Sequence, residues 1–135
     1  MKGLDTNVLV RYLVQDDPEQ AAIAVQVIEA VADRNERFLI QPVVLCEMIW
    51  VLDSVYGYAK EEILQALSMI LRTIQFEIAE KDTVWQAFHD YQAGMADFSD
   101  YLIGRANARQ GAQKTLTFDR SLKKSPLFDL LPEHP

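Results

Sequence analysis

Apolar residues are distributed along the chain in two patterns, short continuous runs and longer stretches in which they recur every three or four positions. The short runs predict β-strands, and the helical periodicity predicts amphipathic α-helices. The predicted strands cover residues 1–4, 38–40, 75–79, 115–118 and 127–131. The predicted helices begin near residues 18, 42, 60, 82 and 97. Strands and helices therefore follow one another along the whole chain.

The predicted helices carry suitable residues at their ends. Asp17 can cap the helix that begins at Pro18, and Pro42 begins the next helix. Gly57 and Gly111 can end the helices that precede them, because glycine readily adopts the left-handed conformation found after a helix. Since the chain has no linker, repeat or low-complexity segment, we expect one domain.

The alternation of strands and helices predicts an α/β sandwich built on a parallel sheet. In such a sheet the carboxyl ends of the strands face one crevice, where ligands bind. Asp5 directly follows the first predicted strand, and Asp119 directly follows a late strand. We therefore expect these two carboxylates to reach the same crevice.

Charge is unevenly distributed along the chain. The formal net charge of −7 argues against a protein that coats nucleic acid without specificity. Between residues 105 and 124, however, Asp119 is the only acid among six cations, which are Arg105, Arg109, Lys114, Arg120, Lys123 and Lys124. This stretch could bind a phosphate backbone, or it could be an ordinary solvated surface.

The residue types that are present limit any chemistry to carboxylates. A single cysteine, Cys46, excludes an internal disulfide and a multi-cysteine zinc site, and it suits a reducing cytoplasm. The two histidines, His89 and His134, lie far apart in sequence, so we expect neither a histidine metal site nor a serine–histidine–aspartate triad. The N-terminus lacks the features of a signal peptide, and no apolar run approaches the roughly 18 residues of a membrane span. We expect a cytoplasmic protein.

Glu47 is the one charged residue in the apolar run 43–52, inside the helix that begins at Pro42. Because apolar residues flank it on every face of that helix, we expect a carboxylate in apolar surroundings, which requires protonation or a positive partner. No lysine or arginine occurs between Arg37 and Lys60, so the sequence suggests a bound cation. The alternative is a residue at the rim, with a buried stem and a carboxylate in water.

Four carboxylates could face the same crevice, and they are Asp5, Glu47, Asp100 and Asp119. Individually, Asp5 could be a helix cap and Asp119 could begin a turn. Asp97 and Asp100 are three residues apart at a helix start, where Asp97 suits the cap and Asp100 the third helical position.

As a group, these carboxylates indicate a metal site. Neighbouring carboxylates repel one another, and a set of oxygen ligands without histidine or cysteine suits Mg²⁺ or Mn²⁺. Such a site typically activates water for attack on a phosphodiester. Thr6, Asn7 and Thr117 could orient the carboxylates through hydrogen bonds.

Four segments resemble a known family, namely MKGLDTNVLVRYLVQDDPEQ, the glutamate within PVVLCEMIWVL, ADFSDYLIGRANARQGA and TLTFDRSL. In this order they are similar to a PIN-domain ribonuclease and, more narrowly, to the VapC-type toxin of a bacterial toxin–antitoxin pair. The resemblance covers essentially the whole chain. It implies a single PIN-like nuclease domain, 1–135, folded as a three-layer α/β/α sandwich with a small, mainly parallel twisted sheet.

The resemblance also implies a role for each matching position. The residues implied to bind metal and to carry catalysis are Asp5, Glu47, Asp100 and Asp119. The implied supporting residues are Thr6, Asn7, Thr117 and Asp97, the last of which we rank as a helix cap. Arg105, Arg109 and Arg120 are the candidates for RNA contacts.

The implied activity is endonucleolytic cleavage of RNA phosphodiester bonds by water that Mg²⁺ or Mn²⁺ activates. The implied partners are an RNA substrate, a second copy of the chain in a homodimer, and a small VapB-like antitoxin whose C-terminal segment covers the active site. No membrane partner is expected.

Two alternatives come from other functional classes. A phosphatase or phosphotransfer α/β domain also places an aspartate after its first strand. The phosphatase pattern expects a second aspartate at Asn7, and a receiver domain expects a lysine after a late strand, which Lys114 precedes. The other alternative is a catalytically weak or inactive PIN-like module that binds RNA or protein. Since none of the four acids is missing, the sequence favours an enzyme.

Overall fold

Five short strands and six helices make up the chain, which the computed structural model describes from residue 1 to residue 135. The strands are β1 (Lys2–Gly3), β2 (Phe38–Ile40), β3 (Phe76–Ile78), β4 (Thr115–Thr117) and β5 (Phe128–Leu130). The helices are α1 (Thr6–Leu13), α2 (Pro18–Ala30), α3 (Pro42–Ser54), α4 (Lys60–Arg72), α5 (Lys81–Ala93) and α6 (Phe98–Arg109). Two short 3₁₀ turns, Ala32–Arg34 and Arg120–Leu122, complete the structure.

All five predicted strands and all five predicted helices are present, with ends that differ from the prediction by a few residues. The apolar pattern does not predict α1, because its sequence TNVLVRYL is short and rich in β-branched residues, which favour strands. The predicted helix ends are confirmed. Asp17 accepts a hydrogen bond from the backbone of Gln20 at the start of α2, and Gly57 follows α3 with a φ of +68°.

The chain divides into two compact units, Met1–Glu80 and Lys81–Pro135. In the first unit, β1, β2 and β3 form a parallel sheet in that order. Helix α1 packs against α2 and α3, and α3 packs against α4. The fully buried side chains of this core include Leu9, Ile28, Ile40, Leu45, Met48, Leu52, Leu67 and Ile70. This packing fixes the junction where the chain leaves the carboxyl end of β1 and enters α1.

Arg11, in the last turn of α1, attaches this helix to its neighbours. Its guanidinium donates to Gln20 Oε1 at 2.8 Å and to Asp16 Oδ1 at 2.9 Å. The Tyr56 hydroxyl accepts from Arg11 at 3.2 Å and donates to Asp16 Oδ2 at 2.9 Å. Polar contacts therefore hold the C-terminal end of α1, while its N-terminal end carries Asp5.

In the second unit, α5 and α6 pack along each other, and β4 pairs with β5 in a two-stranded parallel sheet. Gly104 of α6 permits close packing, because a Cβ at this position would lie 2.7 Å from the ring of Phe128 in β5. Phe98, at the start of α6, is buried and makes an edge-to-face contact with Tyr91 of α5. These contacts fix the start of α6, where Asp97 and Asp100 lie.

The predicted α/β class and the parallel pairing of the strands are confirmed. The strands are divided between a three-stranded and a two-stranded sheet. None of the helices combines the length and the apolar character that crossing a membrane requires.

Candidate functional site

Asp5 lies between β1 and α1, where it is the N-cap of the helix. Its Oδ1 accepts a hydrogen bond of 2.7 Å from the backbone N–H of Thr6, and the residue is exposed to solvent. The cap interpretation is therefore correct, and it is compatible with a second role. One carboxylate oxygen is held by the helix start, and the other can accept a further partner.

The hydroxyl of Thr6 is buried and has no hydrogen-bond partner in the protein. A buried polar atom without a partner is uncommon and lowers stability, so it marks a position where a further group could be bound. The next residue, Asn7, is exposed at the start of the same helix. The supporting roles of Thr6 and Asn7 stay a prediction.

Glu47 lies on the outer face of α3, and the expectation that apolar surroundings enclose it is wrong. The residue is exposed, and its neighbours on the same face, Val43 and Trp50, are 61% and 66% exposed. Helix α3 packs against α1 and α4 through one side, which carries Leu45 and Met48. Sequence periodicity misleads here because apolar residues are common on protein surfaces, and an apolar outer face resembles a buried one.

Asp100 lies in the first turn of α6, where Oδ2 of its carboxylate accepts a 3.1 Å hydrogen bond from the backbone N–H of Asp97. Partial burial raises the pKa of Asp100, although the hydrogen bond from Asp97 opposes this effect. The negative charges of Asp97 and Asp119 raise the pKa further. Asp119 thus acts electrostatically on Asp100 within the second unit. Asp97 occupies the N-cap position, as expected.

Asp119 follows β4 and is held by hydrogen bonds from one neighbour. Its Oδ1 accepts from the Ser121 hydroxyl at 2.7 Å and from the Ser121 backbone N–H at 2.9 Å. These bonds lower the pKa of Asp119, so the carboxylate is ionised near neutral pH. The predicted supporting residue Thr117 accepts a 3.0 Å hydrogen bond from the backbone N–H of Asp119.

Ser121 is a residue of this site that sequence reasoning missed. The signal was present in the order Asp119-Arg120-Ser121 directly after a strand, because an aspartate often accepts hydrogen bonds from the residue two positions later in a turn. In this turn, Ser121 holds the carboxylate of Asp119 in place.

The structure brings the predicted acids together in part. Asp119 acts electrostatically on Asp100 in the second unit, whereas in the first unit Asp5 caps α1 and Glu47 lies on the outer face of α3. Neither unit by itself contains a group of three or more His, Cys, Asp or Glu residues arranged to hold a metal ion. The convergence of all four acids stays a prediction.

The available donors nevertheless have the right chemistry for Mg²⁺ or Mn²⁺. All are carboxylate, hydroxyl or amide oxygens, which hard divalent cations prefer. The repulsion between Asp100 and Asp119 and the unsatisfied hydroxyl of Thr6 are both features that a bound cation and its water shell would relieve. Burial raises the pKa of Cys46, which makes this thiol a poor nucleophile and leaves the chemistry to the carboxylates.

The three arginines predicted to contact RNA all have acidic partners. Arg105 donates to both carboxylate oxygens of Asp90, at 2.6 and 2.8 Å. Arg120 pairs with Glu133 at 3.0 Å, and Arg109 lies 3.7 Å from Asp82, in both cases with exposed side chains. Exposed pairs of this kind are weak and exchange readily with other ligands, whereas the Arg105 pair joins α6 to α5.

Comparison with known proteins supports the motif pattern. The PIN domain family model matches residues 3–126. A VapC ribonuclease from Aquifex aeolicus (strain VF5) is 26% identical over 124 residues, which cover 92% of this chain and 91% of that protein. No solved structure matches at a significant level. The resemblance that the four segments indicate is therefore confirmed.

The opposite pKa shifts of Asp100 and Asp119 predict opposite effects on stability in metal-free buffer. Because the folded-state pKa of Asp100 is raised, its ionisation destabilises the fold as pH rises through the acid range, and Asp100→Asn should raise the melting temperature at pH 7. Because the pKa of Asp119 is lowered, its ionisation stabilises the fold, and Asp119→Asn should lower the melting temperature at pH 7. We expect shifts of roughly 1–3 °C.

Thermal unfolding in EDTA at neutral pH and at about pH 3 measures both effects, and wild-type protein at each pH is the reference. Both differences should shrink at the acidic pH, because protonation removes part of the charge on which each contribution depends. Shifts of the same sign at neutral pH would contradict the electrostatic interpretation.

Proposed function

Because this chain belongs to the PIN-domain family, we propose that it is an endoribonuclease that acts as the toxin of a type II toxin–antitoxin pair. The observation that carries this proposal is the match to the family over residues 3–126, which contains all four predicted acids. The similarity to a VapC ribonuclease over 92% of the chain supports the toxin assignment.

We propose further that Asp5, Glu47, Asp100 and Asp119 bind Mg²⁺ or Mn²⁺. A bound cation of this type would supply activated water and stabilise the negative charge that develops on the phosphodiester. Asp5 is positioned by the backbone of Thr6, and Asp119 by Ser121, so these carboxylates need little reordering to act as ligands.

The raised pKa of Asp100 supports this assignment. Its ionised form is disfavoured by partial burial and by neighbouring negative charge, a combination that is typical of functional sites. Asp97 contributes to that charge and supplies the backbone hydrogen bond, which makes it a positioning residue for Asp100. Thr117 positions the backbone at Asp119, because its hydroxyl accepts a hydrogen bond from the N–H of that residue.

We propose that the two compact units act as one nuclease domain, 1–135. The support for this proposal is that the family match runs across the boundary between Glu80 and Lys81. The acids are also shared, with two in each unit, so neither unit carries the complete set.

The proposed partners are RNA, a second copy of the chain and a VapB-like antitoxin whose C-terminal segment covers the active site. Apolar side chains exposed on α2 and α3, among them Ile23, Val43 and Trp50, are available for protein contacts and support both protein partners. We propose that these interactions take place in the cytoplasm.

The phosphotransfer alternative receives no support from the structure. Lys114, which a receiver domain would need after a late strand, lies before β4 and donates a hydrogen bond to the carbonyl oxygen of Pro126. Asn7 occupies the position where the phosphatase pattern has its second aspartate.

We predict that Asp5→Asn and Glu47→Gln each reduce RNA cleavage by roughly a hundredfold or more, because each removes a charged ligand of the proposed cation. Cleavage of a labelled single-stranded RNA in Mg²⁺ or Mn²⁺ measures the loss. Mn²⁺ should raise the melting temperature of the wild-type protein and have little effect on Asp5→Asn.

The matched control for Glu47→Gln is Asp53→Asn, which removes one exposed acid from the same helix and should leave cleavage intact. Full activity in Glu47→Gln would remove this residue from the site. Full activity in both ligand variants, with no Mn²⁺ response in the wild type, would favour the non-catalytic binding module.

We also predict that Asp100→Asn reduces cleavage far more than Asp97→Asn does. Asp100 is the proposed ligand, whereas Asp97 acts on it mainly through its backbone N–H, which asparagine retains. The cleavage rates of the two variants, measured at saturating Mg²⁺, show which substitution has the larger effect. The reverse order would identify Asp97 as the ligand.

The toxin assignment predicts that expression of the chain arrests bacterial growth and that the Asp5→Asn variant does not. Co-expression of a small protein encoded by the adjacent reading frame should restore growth, because an antitoxin would cover the site. Arrest by Asp5→Asn as strong as that by the wild type would show that growth inhibition does not depend on cleavage.

A further inference from the structure

A cavity of about 790 Å³ lies within the second unit, between α5, α6 and the segment 120–127. Its volume falls within the range of roughly 300–1,000 Å³ that is typical of small-molecule and cofactor sites. None of the four proposed metal ligands lines it. The cavity is therefore a separate feature from the proposed cation site.

Basic side chains form one wall of the cavity. Arg120, Lys123 and Lys124 all line it and are all exposed to solvent. Glu133 pairs with Arg120 at 3.0 Å across the surface, so a carboxylate already occupies a position where another anion could bind. Because both side chains of this pair are more than 60% exposed, a phosphate could displace the carboxylate at little cost.

Arg105 contributes a fourth cation, which lies deeper than the other three. Its Nε and Nη2 donate to the two oxygens of Asp90, and this leaves Nη1 with its two N–H donors for another acceptor. The hydrogen bonds to Asp90 raise the pKa of Arg105, so the guanidinium stays charged although it is partly buried. The ion pair therefore holds this donor in place in the lining of the cavity.

Another wall of the cavity is aromatic and aliphatic. Tyr101 is buried, and its hydroxyl accepts a 3.3 Å hydrogen bond from the backbone N–H of Ala96, which fixes the ring. Pro126 and Leu127 line the cavity beside it, and Met95, 85% exposed, stands at the rim. A planar base could pack against the accessible part of this wall, which Met95, Pro126 and Leu127 form.

The cavity is next to the two interacting acids along the chain. Tyr101 directly follows Asp100, and Arg120 directly follows Asp119. The lining of the cavity therefore includes a direct sequence neighbour of each carboxylate.

The charge of the second unit also favours an anionic ligand. Residues 81–135 carry seven basic and seven acidic residues, whereas residues 1–80 carry six basic and thirteen acidic ones. The first unit thus accounts for the whole net charge of −7. Four of the seven cations of the second unit line the cavity.

We propose that this cavity binds one nucleotide of the RNA substrate, adjacent to the bond that is cut. Its phosphate is held by Arg120, Lys123 and Lys124, and its base packs against Pro126 and Leu127. The proposal rests on the proposed ribonuclease function and extends it, because it assigns to this chain a nucleotide subsite that positions the substrate.

Binding of a short single-stranded RNA to the full chain in EDTA tests the cavity without cleavage. The Lys123→Gln/Lys124→Gln variant should bind about tenfold more weakly at 50 mM salt, because two phosphate contacts are lost. The slope of log affinity against log salt should fall by about 1.4, or about 0.7 for each lost contact. Fluorescence anisotropy between 50 and 200 mM salt measures both quantities.

The matched control is Arg34→Gln/Lys81→Gln, which removes the same number of charges from exposed positions outside the cavity. Its affinity should stay within about twofold of the wild type, because neither residue lines the cavity. Glu133→Gln should act in the opposite direction and strengthen RNA binding, because it frees Arg120. Equal losses in the two double variants would overturn the proposal.

Competition experiments identify the ligand class. AMP should displace the labelled RNA at a lower concentration than inorganic phosphate does, and adenosine should displace it poorly. The reason is that the basic wall binds the phosphate and the apolar wall binds the base. Equal competition by AMP and inorganic phosphate would show an anion site without a base-binding wall. Competition by an acidic peptide as strong as that by AMP would indicate a protein ligand. Either result would overturn the nucleotide assignment.

The cleavage assay separates this proposal from the proposed function. If the wild type cleaves RNA and Lys123→Gln/Lys124→Gln binds RNA as well as the wild type does, the subsite is wrong and the nuclease assignment stands. If no cleavage occurs in Mg²⁺ or Mn²⁺ but the cavity variant still loses affinity and salt dependence, the ribonuclease assignment fails, and the cavity is a nucleotide-binding site without a role in cleavage.

Discussion

Repulsion between neighbouring carboxylates is the constraint on which the proposed chemistry depends. In the second unit, burial and the negative charges of Asp97 and Asp119 raise the pKa of Asp100, so its ionised form is disfavoured. The apolar packing of α5 on α6, and the close approach of Phe128 to Gly104, stabilise this arrangement in the free protein. Affinity for a positive ligand follows from that repulsion, because a cation removes an unfavourable interaction in addition to forming favourable ones.

The sequence predicts most of the local structure because local signals determine it. Pro18 and Asp17 begin a helix by fixing a backbone angle and satisfying an N–H group, and Gly57 ends one with a left-handed backbone angle. The candidate acids follow from the same logic, since an aspartate directly after a strand lies at the ligand-binding end of a parallel sheet. The exposure of Glu47 could not be predicted, because it depends on which side of α3 the neighbouring helices cover.

Other features could not be predicted from the sequence, for different reasons. The division of the strands between two sheets depends on long-range pairing, which a strand of two or three residues hardly encodes. The partner of Arg105 is a residue fifteen positions away on another helix, so charge spacing alone suggests a solvated arginine where the structure has a two-point ion pair. The cavity beside it depends on three separate segments and has no sequence signature of its own.

The exposed apolar face of α3 has a practical consequence. Trp50 is two-thirds exposed and lies one helical turn from Glu47, whereas Trp85, the second tryptophan, is partly buried and stacks beside His89. The two indoles therefore differ in their contact with solvent, and red-shifted emission should come mainly from Trp50. Any molecule that covers this face would exclude solvent from that indole and shift its emission to shorter wavelength. The protein thus carries an intrinsic optical reporter beside one of its candidate catalytic acids.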